Sequence, residues 1–185
     1  MQTTTIFTLP GWLNSPPAHW QSLWETAFGD VRVQQHDWDT PLRGDWITRL
    51  EDTVQNHLAK HPEPSQARIA FAAHSLGCHL VAAWAALSPN VHRVTGALLV
   101  APPGPSMLDR PPQLHSWKKP VRNQLPFKTT LVASTRDPFC SFAKAEGLAA
   151  SWGSRIVSAG PIGHINADSG LKDWPAGRAM LMELT

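Results

Sequence analysis

The chain has no tyrosine, only two cysteines, and charge on only 16% of its 185 residues. Cys78 and Cys140 are too few for a disulfide framework and lack the paired spacing of a zinc site. They suit a reducing compartment. No apolar run approaches the length of a membrane span. The N-terminal MQTTTIFTLPGW lacks a basic n-region, and its apolar stretch is too short for a signal peptide, so a cytoplasmic location is expected. A net charge of +2 is too mild to make nucleic acid the main partner. Part of that charge sits on Arg110, Lys118, Lys119, Arg122 and Lys128, in a proline-broken stretch that reads as a solvated face. Internal repeats and low-complexity linkers are also missing. What is present is 42% hydrophobic residues, too many for a disordered chain, at a length that fits one domain over residues 1–185.

Prolines cluster at Pro16–Pro17, from His61 to Pro64, and from Pro102 to Pro126, which punctuates the chain without dividing it. Between them, Thr4–Leu9, Val31–Gln35, Arg68–Ala72, Ala97–Val100, Thr129–Ala133 and Arg155–Val157 each read as a strand. Most are continuously apolar, as strands covered on both faces of a parallel sheet must be. Helical patterns fill the gaps. His19–Phe28 is a short one, and Trp46, Leu50, Val54 and Leu58 form one apolar stripe. Leu76–Leu87 is stopped by Pro89, Ser141–Trp152 by Gly153, and a last helix starts near Pro175. The alternation predicts a three-layer α/β-hydrolase-like fold without a large lid domain. Its sheet is mostly parallel, with about six strands flanked by helices in the order 2-1-3-4-5-6. The site is expected at the switch between strands one and three.

At the end of the third strand, Ala73-His-Ser75-Leu-Gly77 leads directly into a helix. Strand, sharp turn with serine at the apex, then helix is the nucleophile elbow, which needs small residues two before and two after the serine. Ala73 and Gly77 meet that need. A serine nucleophile requires a base, and the base an orienting acid. Asp137 follows the fifth strand, held out of helical geometry by Pro138. His164 follows the sixth. Ser75, Asp137 and His164 thus end three strands on one edge of the sheet, in the chain order serine, acid, histidine. The oxyanion is expected to meet the N–H of Leu76 and a second N–H from the loop after strand one. Trp12 is the choice for that second donor and Leu13 the alternative. Gly11, Leu13 and His74 are candidate pocket residues.

Plainer readings stand beside these. Ser75 is also a favoured helix N-cap, and Asp137 an Asx-turn residue. Asp109, Asp168 and Asp173 are competing acids, but none directly follows a strand. His74 adjoins the serine, so its side chain should point into packing or a hydrogen bond. His79 and His36 read as structural, Cys78 as a small buried hydrophobe, and Cys140 as exposed near the site. Trp12, Trp20, Trp38, Trp117 and Trp174 are aromatic candidates for a pocket wall, though aromatics in a domain this small usually fill the core. The histidines show no metal-ligand spacing. No cofactor is needed.

Beyond the generic elbow, PGW with HWQSLWE (Gly11 to Glu25), QHDWDTP (Gln35 to Pro41), AHSLGC (Ala73 to Cys78), APP (Ala101 to Pro103), ASTRDPFCSFAKAEGLA (Ala133 to Ala149) and GHINADSGLKDWP (Gly163 to Pro175) resemble the small serine hydrolase family typified by retinoblastoma-binding protein 9 and its bacterial relatives. These segments span nearly the whole chain. The resemblance implies a stripped-down α/β-hydrolase with its Ser-Asp-His triad on Ser75, Asp137 and His164, and weak esterase or peptidase-like activity. The expected substrate is a small acyl compound cleaved at an ester-type bond. Thioester or peptide-amide cleavage is an alternative, as is a binding or regulatory role on the same scaffold with Pro102–Pro126 as the docking surface. Substrate selection is expected to rest with Gly104–Phe127.

Overall fold

A computed structural model describes residues 4–61, 63 and 66–185. Met1 to Thr3, and Pro62 and Pro64 of the proline cluster, lie outside them. The described chain alternates strand and helix: β1 (Thr4–Leu9), α1 (Trp20–Phe28), β2 (Val31–Arg32), α2 (Arg43–Lys60), β3 (Arg68–His74), α3 (Leu76–Ala85), β4 (Val94–Val100), α4 (Pro105–Asp109), β5 (Lys128–Ala133), α5 (Phe142–Trp152), β6 (Arg155–Ser158) and α6 (Pro175–Met182). The six strands form one sheet in the order β2-β1-β3-β4-β5-β6, and every pairing is parallel. Fold and strand order are those expected.

Successive residues of a strand face opposite sides of a sheet, and both sides here are covered. Phe7, Leu9, Ile69, Phe71, Ala73, Ala97 and Leu99 pack with the stripe Trp46, Leu50, Val54 and Leu58 of α2 and with residues of α3 and α5. Their neighbours Ile6, Ala70, Ala72, Leu98 and Val100 meet Trp20 and Trp24 of α1, Trp174, and Leu181 of α6. That double coverage is why the central strands β3 and β4 are so largely apolar. Trp20, Trp117 and Trp174 are core residues, and Trp38 packs partly buried against the core.

Two stretches depart from expectation. β2 pairs only at Val31 and Arg32, not through Gln35. After one more bond, from Val33 N–H to Thr8 O, the chain leaves the sheet edge. The stretch from Gly104 to Phe127 is not wholly irregular: α4 and a 3-10 turn at Pro112–Trp117 cross it. Leu108, Leu114 and Trp117 bury themselves there, and Trp117 Nε1–H donates to Pro41 O at 2.8 Å.

Order reverses between β1 and β3, because the chain leaves β1 for β2 on one side and returns to β3 on the other. In such sheets a crevice opens at the carboxyl ends of the strands flanking the reversal. The loops after β1 and β3 meet in that crevice.

Candidate active site

Ser75 sits between β3 and α3 at φ 52° and ψ −122°. A positive φ is uncommon for any non-glycine residue and costs on the order of 1–3 kcal/mol, so the surroundings must enforce it. Ser75 N–H donates to Val100 O at 2.9 Å, and Ser75 O accepts from Cys78 N–H at 3.0 Å. Two glycines make room for the turn. A Cβ on Gly77 would stand 2.2 Å from Leu9 O, and one on Gly11 would stand 2.6 Å from Ser75 Cβ. The serine side chain does not cap α3. Its hydroxyl instead lies 3.0 Å from His164 Nε2.

The other ring nitrogen, His164 Nδ1, is 2.9 Å from Asp137 Oδ2 and 3.1 Å from Oδ1. A carboxylate accepts, so Nδ1 carries the proton and Nε2 offers its lone pair to Ser75. Asp137 is also an Asx-turn residue, since Oδ1 accepts Phe139 N–H at 2.9 Å. The one carboxylate thus bonds both to His164 and to the turn that follows it. The Asp137 and His164 side chains keep only 3% and 10% of their surface exposed. An edge-on Phe139 ring, 4.6 Å from the imidazole, screens the pair. Asp168 is exposed at the rim. Trp24 Nε1–H bonds to Asp173 O.

Leu76 opens α3, so its N–H is among those left without an intrahelical partner. In the loop after β1, Leu13 N–H is already given to Trp38 O at 3.1 Å. No hydrogen bond among the described residues uses the main-chain N–H of Trp12, while its indole Nε1–H donates to Asp39 O at 2.8 Å. That loop is rigidly held. Leu13 and Asn14 are both left-handed, at φ 68° and 66°. Arg32, paired to Glu25, also donates to Asn14 Oδ1 at 3.0 Å and to Ser15 O at 3.1 Å.

A cavity of about 430 Å³ opens over Ser75. Gly11, Trp12, Leu13 and His74 are among the residues that line it. Sequence reasoning did not single out Pro103, Met107, Leu114 and Phe139, which add to its apolar wall. Pro103 and Phe139 come from loops, Met107 from α4 and Leu114 from the 3-10 turn, and only the tertiary fold brings them together. Cys140 corrects an expectation: it is 7% exposed, packed in the core, and its thiol is pushed up to about 11 by burial and by Asp137. Cys78 is fully buried, as expected, and burial pushes its thiol up as well. Among the described residues, no group of three or more His, Cys, Asp or Glu side chains is placed to hold a metal ion. No helix among them is long and apolar enough to cross a membrane.

Three histidines near the site are buried and neutral. His19 is pushed down to about 3 by burial, with Arg32 and His164 adding to it. Burial pushes His79 down to about 4, and takes His74 well below the usual histidine range. His79 Nε2–H donates to Pro103 O at 2.9 Å, which ties α3 to the loop after β4. A histidine kept neutral in the fold, but protonated near its ordinary value when unfolded, contributes stability that is complete above that value. The contribution is lost as pH falls toward the folded one. Urea midpoints are therefore expected to hold above about pH 7 and to drop between about pH 6.5 and 4. Midpoints flat across that window would contradict the assignment.

Residues 6–183 match the model of the family described as serine hydrolase. Among solved structures, the chain is similar to a protein of Pectobacterium atrosepticum described as a YdeN-like hydrolase. The two share 27% identity and a TM-score of 0.82, over 99% of this chain and 91% of that one. It is also similar in fold to the ydeN gene product of B. subtilis, at 19% identity and TM-score 0.69 over 98% of both chains. A thermophilic esterase from Thermogutta terrifontis shares the fold at 12% identity and TM-score 0.68, over 98% of this chain and 89% of that one. No curated protein matches the chain. With nearly its whole length matched, the chain belongs to the serine hydrolase family and carries it on an α/β-hydrolase-like fold.

Proposed function

We propose that the protein hydrolyses esters of small, uncharged acyl groups through an acyl-enzyme on Ser75. The observation that carries this reading is the unbroken chain from Ser75 Oγ to His164 Nε2 and from His164 Nδ1 to Asp137, at 3.0 and 2.9 Å. His164 takes the hydroxyl proton as Ser75 Oγ bonds to the ester carbonyl carbon. The carbonyl oxygen becomes an oxyanion facing the N–H groups of Leu76 and Trp12, each worth on the order of 3 kcal/mol in the transition state. Collapse breaks the bond to the alcohol, which leaves with the proton from His164. Water then attacks the acyl carbon, giving its proton to His164, and the acid departs as Ser75 regains its hydrogen. Asp137 holds the Nδ1–H tautomer throughout and stabilises the imidazolium.

The apolar wall supports the substrate class. Met107 and Leu114 come from the segment crossing the site, Phe139 from the acid loop, and Asp168 puts a negative charge at the rim. An acyl group ending in a carboxylate would lose its hydration there and gain no counter-charge. With p-nitrophenyl esters, kcat/KM is expected to peak at about four to eight acyl carbons, as suits a cavity of this size. Leu114→Trp, which fills the cavity, should move that peak to shorter chains. A preference for acetyl that Leu114→Trp leaves unchanged would contradict the assignment. Faster cleavage of matched thioesters or peptide amides would move the reading to those bonds.

A further inference from the structure

We infer that His74 is a positioning residue that holds the histidine base by its main chain. This rests on the assignment of His164 as that base. His164 stands on a turn with Gly163 at φ 71° and Ile165 at φ 51°. A left-handed conformation at a β-branched residue is a strained one that neighbouring contacts must enforce. Two side-chain donors grip consecutive carbonyls of this turn from two different elements. His74 Nε2 lies 2.9 Å from His164 O, and Trp20 Nε1 of α1 lies 3.0 Å from Ile165 O.

A carbonyl can only accept, so His74 must carry its proton on Nε2 and leave Nδ1 bare. The ring also rests against the base: the His74 and His164 centroids are 4.8 Å apart and tilted by 59°. On its other side His19, the N-cap of α1, stands 4.6 Å away, and Trp20 stands edge-on at 6.2 Å. The groups facing His74 are thus His19, Trp20 and His164, and none of them is an acid. Two neutral imidazoles therefore back a third that must become charged. The serine proton has one place to go among these rings, because His164 Nε2 is the imidazole nitrogen that bonds to Ser75 Oγ. Contact between rings is not directional, whereas the bond to the carbonyl fixes how the peptide plane turns. That plane decides whether Nε2 and Nδ1 reach partners on two different loops.

His74→Phe keeps a ring in place and deletes the donor. His74→Gln gives up the ring and keeps an N–H donor of comparable reach. The phenylalanine variant is expected to lose about 30-fold or more in kcat with KM changed less than about threefold, since displacement of a base by an ångström costs that much. Glutamine should restore kcat to within about fivefold of wild type. An unchanged kcat in His74→Phe, equal impairment of both variants, or a loss confined to KM would overturn the proposal. If His74→Phe does not fold, His74→Met replaces it, filling the gap without a donor. The base assignment is checked separately by fluorophosphonate labelling of His164→Ala. Wild-type labelling in that variant would sink the base assignment itself, whereas slow labelling there with normal His74→Phe turnover would sink only the role of His74.

Discussion

Ser75→Ala is expected to lower kcat by on the order of 10⁶-fold, the cost of losing the nucleophile from a working triad, and to leave the fold intact. The stability half of that expectation follows from the local structure. The hydroxyl bonds to His164 and does not cap α3, so deleting it leaves no helix N–H newly unpaired. The positive φ is as unfavourable for alanine as for serine, so the strain of the elbow is the same in both proteins. Gly77 and Gly11 keep the space the turn requires. Whatever rate remains should come from binding and from the oxyanion donors, which survive the substitution. The check is steady-state hydrolysis of an apolar ester beside thermal unfolding by circular dichroism. Wild-type turnover in the variant would remove Ser75 from the mechanism.

Asp137→Asn should cost on the order of 10⁴-fold in kcat. The substitution changes one atom, so Oδ1 can still accept Phe139 N–H and keep the turn closed. The amide nitrogen, however, presents a donor to His164 Nδ1. The ring is then driven to carry its proton on Nε2, the nitrogen that must receive the proton of Ser75. The histidine stays in place with the wrong tautomer. Asp168 is exposed at the rim, and Asn at that position should leave kcat within a few-fold of wild type. An Asp137→Asn enzyme with undiminished kcat would shift the acid to another carboxylate.

Much of this site was legible because its residues sit at the ends of elements whose patterns are strong. The apolar runs of β3 and β5 lead to Ser75 and Asp137, the short β6 leads to His164, and strand ends in a parallel sheet share one edge. Local chemistry at the elbow was equally readable, since Ala73 and Gly77 are the small residues it demands. The choice between Trp12 and Leu13 was not, because it depends on which N–H the loop has already used. The structure gives the Leu13 N–H to Trp38 across the loops, a contact that no local pattern encodes. The apolar wall of the cavity was hidden for the same reason. Met107 and Leu114 lie in a short, proline-rich stretch where a five-residue helix and a 3-10 turn are too brief to show periodicity. Cys140 is buried where its sequence position suggests exposure, because nearness to Asp137 in sequence says nothing of depth, and Cys140 turns into the core beside α5. The grip of His74 on the His164 carbonyl spans 90 residues of chain, and only the parallel sheet brings the two together.

The most direct measurement is labelling of purified wild type and Ser75→Ala with a fluorophosphonate probe, with heat-denatured protein as control. An activated serine attacks phosphorus and displaces fluoride only where base and acid are assembled around it. Labelling confined to native wild type, at one site, is the expected result. Absence of labelling in folded wild type would contradict the account and favour a binding role for this scaffold, and equal labelling of Ser75→Ala would contradict it by moving the nucleophile to another residue.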